Sequence, residues 1–158
     1  MVVLFVCSGN TCRSPMAELF FNAELKRRQL TGCTVRSAGT GAFPNATISE
    51  QSAAVLSELG IDSGSFRSTR LSAELVDSSD IILTMTANHR QTIVSALPDV
   101  AGKTFRLLDI VSGGDVPDPY GGSVDDYRTT FETMRPALLK WADEIEKKAN
   151  QLTYNNHI

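Results

Sequence analysis

The sequence predicts an α/β fold: a three-layer α/β/α sandwich around a central sheet of about four parallel strands, doubly wound. Three observations predict it. Short apolar runs alternate with longer segments whose apolar residues recur at helical spacing. The first run, "VVLFV" at 2–6, is apolar without interruption, as a strand covered on both faces must be. The segments between runs are long enough for the right-handed crossover helices that parallel strands need.

The elements follow in order. After the first strand a helix is expected from about Ser14 to Arg28, with Leu19, Phe20, Ala23 and Leu25 mostly on one side. Gly32 precedes a second strand, "CTVRSA". "ISEQSAAVLSELG" reads as a helix ending at Gly60, a suitable C-cap. "LSAELVDSSD" is a short helix and "IILTM" a third strand. "ANHRQTIVSAL" is helical up to Pro98, and "TFRLL" is the fourth strand. A loop, "SGGDVPDPYGGS", leads to a long final helix from about Val124 to Asn150. Residues 1–150 form a single domain, and 151–158 are expected to be a flexible polar tail.

Composition excludes several classes. With 158 residues, 42% hydrophobic and 21% charged, the chain reads as an ordinary globular domain. A formal net charge of -3 offers no basic field for nucleic acid, so any anion site must be built locally. "VVLFV" is too short for a membrane span, so no membrane partner is expected. Three cysteines argue against a disulfide scaffold and for a reducing, cytoplasmic setting. A monomer is the expectation.

In doubly wound sheets, ligands bind outside the carboxyl ends of the strands. The loop after the first strand is Cys7 to Arg13, Cys7-Ser8-Gly9-Asn10-Thr11-Cys12-Arg13, and Ser14 follows it. Gly9 and Asn10 are types that tolerate positive φ, so the loop can curl its backbone N–H groups inward into an anion nest. Ser14 is a good N-cap and Pro15 suits the first helical position. The helix N-terminus adds partial positive charge, and Arg13 adds a planar fork of donors matching two phosphate oxygens. Cys7 sits at the mouth of this cradle, in surroundings that favour the nucleophilic thiolate. The stretch reads as a nucleophile built into its own phosphate-binding loop. A Walker A loop is excluded, because no G-K-[ST] closes it. A zinc site on Cys7 and Cys12 lacks a second ligand pair, so no metal or other cofactor is expected.

C-x5-R-S near the N-terminus, with "DPYGGS" late in the chain, resembles the low-molecular-weight protein tyrosine phosphatases. "RSAGT" after the second strand is similar to the same family, and the resemblance covers nearly the whole chain. It implies an acid in the D-P loop, and Asp118 is the matching residue, braced by Pro117 and Pro119. Taken alone this segment is a surface turn; beside a C-x5-R loop it supplies the proton that expelling an alkoxide, phenoxide or guanidine requires. The implied mechanism runs through a phosphocysteine on Cys7, with Arg13 and the loop amides on the equatorial oxygens and Asp118 as acid, then base. The resemblance also implies that Asn10 holds the loop shape, that Ser14 hydrogen-bonds the thiolate, and that Cys12 can trap Cys7 as a reversible disulfide. The partners it implies are phosphorylated proteins.

Two features bear on which residue is dephosphorylated. The loop centre is Thr11, where tyrosine-specific members commonly carry Ile or Leu. After the third strand this chain reads Met85-Thr86 rather than Met-Asp. Both are similar to the bacterial protein-arginine phosphatases of the same family. A small hydroxyl residue suits the slim, polar stem of phosphoarginine, and Tyr120 would form a cleft wall. The alternative is a tyrosine phosphatase in which Thr11 is neutral. An arsenate reductase needs later relay cysteines, and none follows Cys33. A non-catalytic phosphate-binding module would need neither nucleophile nor acid loop. Of the remaining residues, Cys33 is expected within the second strand, Met134 and Trp141 in the core, "DEIEKK" on a solvated face, and His89 and His157 in solvent.

Overall fold

The structure, a computed structural model, describes residues 1–155, with side-chain surroundings up to residue 152. Four strands, β1 (Val2–Cys7), β2 (Thr34–Gly39), β3 (Ile81–Thr84) and β4 (Thr104–Arg106), form one sheet in the order β2-β1-β3-β4. Every pairing is parallel. The register sets Cys7 beside Gly39 and Val6 beside Thr84, so three strand ends converge at one edge of the sheet.

Five α-helices cover the two faces: α1 (Arg13–Arg27), α2 (Glu50–Glu58), α3 (Ala73–Ser78), α4 (Ala87–Ala96) and α5 (Val124–Asn155). The alternation of β1 side chains divides the core. Val3 and Phe5 face α1, α2 and α5, packing with Met16, Phe21, Leu56, Phe131 and Leu138. Leu4 and Val6 face the opposite side with Val76, Ile82 and Ile93. All four of these β1 side chains are fully buried, which is why the run carries no polar residue.

The expected elements are present, and several boundaries differ for physical reasons. Helix α1 opens at Arg13, with Cys12 at the N-cap and no side-chain cap. Ser14 is therefore inside the first turn rather than capping it, and its hydroxyl turns to the thiol. Pro15 lies third in the helix, still within the turn whose N–H groups lack intrahelical partners. Only Asn10 of the loop has positive φ, at 54°, and Gly9 does not. Strand β4 stops at Arg106, and Leu107–Ile110 form a 3-10 turn. That turn buries both Leu107 and Leu108, which a strand would have sent to opposite faces. A second 3-10 turn spans Pro98–Lys103, where Pro98 has ended α4.

Cys33 lies one residue before β2 and is half-buried, and burial pushes its thiol up. Met134 is fully buried, and Trp141 packs partly against the core while donating Nε1–H to the Leu107 carbonyl at 2.9 Å. The "DEIEKK" segment is not wholly solvated. Asp143 and Glu146 pair with Arg28 of α1 at 2.7 and 3.0 Å. The last helix continues past Asn150 to Asn155, and His157 lies outside the described residues. No helix among the described residues is long and apolar enough to cross a membrane.

Candidate active site

The loop between β1 and α1 lies at the switch point of the sheet, where β1 has β2 on one side and β3 on the other. Its carbonyls are tied outward. Those of Cys7 and Ser8 accept from the Thr40 and Gly41 amides, both at 3.0 Å, and that of Thr11 accepts from Ser49 at 2.9 Å. Cys12 O accepts from Ser52 Oγ at 3.2 Å. Turning these carbonyls away leaves the amide edge of the loop on the pocket side, as an anion nest requires. The close approach depends on Gly39. A Cβ there would stand 2.4 Å from Ser8 O and 2.9 Å from Asn10 N.

Asn10, fully buried at positive φ, locks the loop. Its Nδ2 donates to Ser14 Oγ at 2.8 Å and to Ser37 Oγ at 2.9 Å, and its Oδ1 accepts from the Thr69 amide at 2.8 Å. Because Ser14 Oγ accepts from Asn10, its own proton is directed at Cys7 Sγ, 2.9 Å away. The Asn10 amide adds a second donor to that sulfur at 3.3 Å. Ser37 in turn donates to the Glu18 carboxylate, whose pKa burial raises while this bond lowers it. One chain of hydrogen bonds thus runs from Glu18 through Ser37, Asn10 and Ser14 to the thiol.

Arg13 is buried beneath the pocket. It donates Nη1–H to Val116 O at 3.0 Å, and its Nη2 lies 3.4 Å from Asp118 Oδ2. Asp118 Oδ1 accepts from the Tyr120 amide at 3.1 Å. Cys7, Ser8, Gly9, Thr11, Cys12, Arg13, Asp118 and Tyr120 together line one cleft of about 230 Å³. Asn10 and Ser14 lie behind it, as its support. Cys12 Sγ sits 3.1 Å from Tyr127 Oη, and burial together with this contact raises the Tyr127 pKa. Among the described residues no group of three or more His, Cys, Asp or Glu side chains is placed to hold a metal ion.

Two side chains at this site were not foreseen. His89, expected in solvent, is 4% exposed. Its Nε2 lies 2.8 Å from Ser8 Oγ and its Nδ1 2.9 Å from Thr86 Oγ1. Burial, and next Arg13, hold its pKa down at about 4, against the opposing pull of Asp115 and Asp118. Glu18 looked like an ordinary helix residue. The signal for His89 was the strand order: once β3 neighbours β1, the residues after β3 must stand beside the first loop.

Residues 2–151 match the family described as low molecular weight phosphotyrosine protein phosphatase, and the chain belongs to it. It is an enzyme of that class. A protein-arginine-phosphatase of Bacillus subtilis is 40% identical, covering 93% of this chain and 98% of its own. A low molecular weight protein-tyrosine-phosphatase, PtpB of Staphylococcus haemolyticus, is 38% identical over 85% of this chain and 92% of its own. The solved structure of a YwlE arginine phosphatase mutant with a phosphorylated active-site serine superposes with TM-score 0.87 at 40% identity, covering 93% of this chain and 97% of that one.

Proposed function

We propose that this protein hydrolyses phosphoarginine on proteins in the cytoplasm, as a monomer, through a phosphocysteine on Cys7. In the first step Cys7 Sγ attacks phosphorus, the S–P bond forms and the P–N bond breaks. Asp118 gives its proton to the departing guanidine nitrogen. Arg13 and the loop amides hold the three equatorial oxygens, where charge is spread in the transition state. In the second step Asp118 takes a proton from water, the new oxygen bonds to phosphorus, and the P–S bond breaks to return the thiolate and release phosphate. Nothing in these steps calls for a metal or organic cofactor. When a peroxide has oxidised Cys7 to the sulfenic acid, the Cys12 thiol, lining the same cleft, attacks that sulfur, the disulfide forms as water leaves, and Cys7 is protected from higher oxidation states.

The observation that carries the choice of arginine is Thr11 in the lining of the cleft, with its neighbours Ser8 and Gly9 exposed around the same rim. The identity to the Bacillus subtilis arginine phosphatase supports it. The tyrosine reading has its own support in the 38% identity to PtpB and in Tyr120, an aromatic 82% exposed at the cleft.

The test is kcat/KM for phosphoarginine and phosphotyrosine peptides, in the natural protein and in Thr11→Ile. The arginine reading expects a preference for phosphoarginine that moves toward phosphotyrosine in the variant. One such contact change is worth about 1–3 kcal/mol, or roughly 10–200-fold in specificity. A natural enzyme that prefers phosphotyrosine overturns the arginine reading and leaves Thr11 without this role.

A further inference from the structure

The bonds around His89 fix more than its position. Thr86 is the N-cap of α4, and its Oγ1 accepts from the His89 amide at 3.1 Å. That oxygen has one proton of its own to place, and His89 Nδ1, at 2.9 Å, is the acceptor in reach. If Thr86 donates to Nδ1, the neutral ring carries its proton on Nε2. Nε2–H then donates to Ser8 Oγ at 2.8 Å. The reverse arrangement would load Thr86 Oγ1 with two donors and leave its own proton unused. The first arrangement uses each proton once.

Its consequence falls on Ser8. With Oγ accepting from His89, the Ser8 hydroxyl proton is not spent on any of the described residues. Ser8 is exposed on the rim of the cleft that Cys7 and Arg13 line. An acceptor carrying negative charge in that cleft would meet a donor already oriented.

We propose that Thr86, His89 and Ser8 form a relay in which His89 is a positioning residue and the Ser8 hydroxyl is a further donor to the bound phosphoryl group. It rests on the phosphatase reading of the cleft and is indifferent to whether arginine or tyrosine carries the phosphate. The ring contributes direction rather than charge, so the site gains a donor without a second cation beside Arg13.

The probe is inorganic phosphate, measured as a competitive inhibitor against an aryl phosphate. Removing a hydrogen bond to a charged group should weaken phosphate in Ser8→Ala by roughly ten- to a hundredfold. His89→Phe, which keeps a ring in the pocket, and Thr86→Val should each reproduce part of that loss in the natural background. Neither should add to it in the Ser8→Ala background, since a relay is non-additive. An independent readout needs no variant. The imidazole ¹⁵N shifts of His89 near neutral pH should report the proton on Nε2. Unchanged phosphate inhibition in Ser8→Ala, additive losses, or a proton on Nδ1 would each overturn the relay. A preference for phosphotyrosine would overturn the arginine reading and leave the relay standing.

Discussion

The loop that holds the nucleophile and the loop that holds the acid face each other across one cleft, yet they are built on opposite terms. In residues 7–14, Cys7, Asn10, Arg13 and Ser14 are buried, and all four polar bonds of the Asn10 side chain and amide are made within the protein. In the segment 115–123, Asp118 is 54% and Tyr120 82% exposed. Among the described residues, Asp118 is held by the Tyr120 amide and by Arg13 alone. The difference follows from their tasks. Donors that stabilise developing charge must already be in place, because reorganising them would cost free energy at the moment of reaction. A group that delivers a proton and then removes one must meet both a leaving group and water.

The sharpest way to break this comparison is at the thiol. Cys7→Ser should abolish turnover while leaving the fold and phosphate binding largely intact, because the loop is held by groups other than the sulfur. Aryl phosphate turnover and phosphate binding by calorimetry check both halves. Substantial residual turnover would remove Cys7 from its role.

The exposed side answers differently. Asp118→Asn should cost about 10²–10⁴-fold for substrates with basic leaving groups and far less for activated aryl phosphates, since only the former need the proton. Rates across leaving groups of graded basicity test this. An equal loss on all of them would make Asp118 a structural partner of Arg13 and no more.

Asn10→Ala separates support from chemistry. It leaves the buried Ser14 and Ser37 hydroxyls each short of a donor, and the amide of the exposed Thr69 short of an acceptor. We expect about 2–3 kcal/mol of lost stability, since an unsatisfied buried group costs about 1–3 kcal/mol and the loop can relax. Thermal unfolding measures it. An unchanged melting temperature would mean that the loop holds its shape without Asn10.

The same contrast explains what could be read from the sequence. The nucleophile loop was legible because its chemistry is local: Cys7, Asn10 and Arg13 lie within seven residues, and backbone preferences suffice to curl them. Asp118 was legible only through the family, since an Asp between prolines is by itself a turn. His89 was misplaced in solvent, because its burial comes from strand order, and pairing β3 beside β1 is a long-range event that no local pattern records. Ser14 was read as a cap from its residue type. The cap falls two residues earlier, at Cys12, and the Ser14 hydroxyl turns to the thiol instead of the backbone. "TFRLL" carried the apolar run of a strand, yet two adjacent leucines entering one core required a 3-10 turn.

The smallest expected effect concerns pH and tests whether His89 belongs to the rigid side. Its pKa is held at about 4 by burial first and Arg13 second, with Asp115 and Asp118 opposing. An unfolded histidine titrates near 6.5. Between about pH 6.5 and pH 4 the unfolded chain therefore takes up a proton that the folded protein refuses. Stability must fall as pH is lowered through that window, and this contribution levels off below about pH 4. Glu18 works the other way, because a carboxyl whose pKa is raised by burial favours the folded state as pH falls. The paired Glu24, held at about 2 by Arg27 and Arg28 against some desolvation, loses its contribution mainly below the window. Those carboxylates are common to the natural protein and to His89→Asn, so the difference between their stability profiles isolates the imidazole. The melting temperature of the natural protein should fall more steeply from pH 7 to pH 4.5 than that of His89→Asn. Parallel profiles would mean that the ring takes up its proton in place, and His89 would then belong with the yielding loop rather than with the locked one.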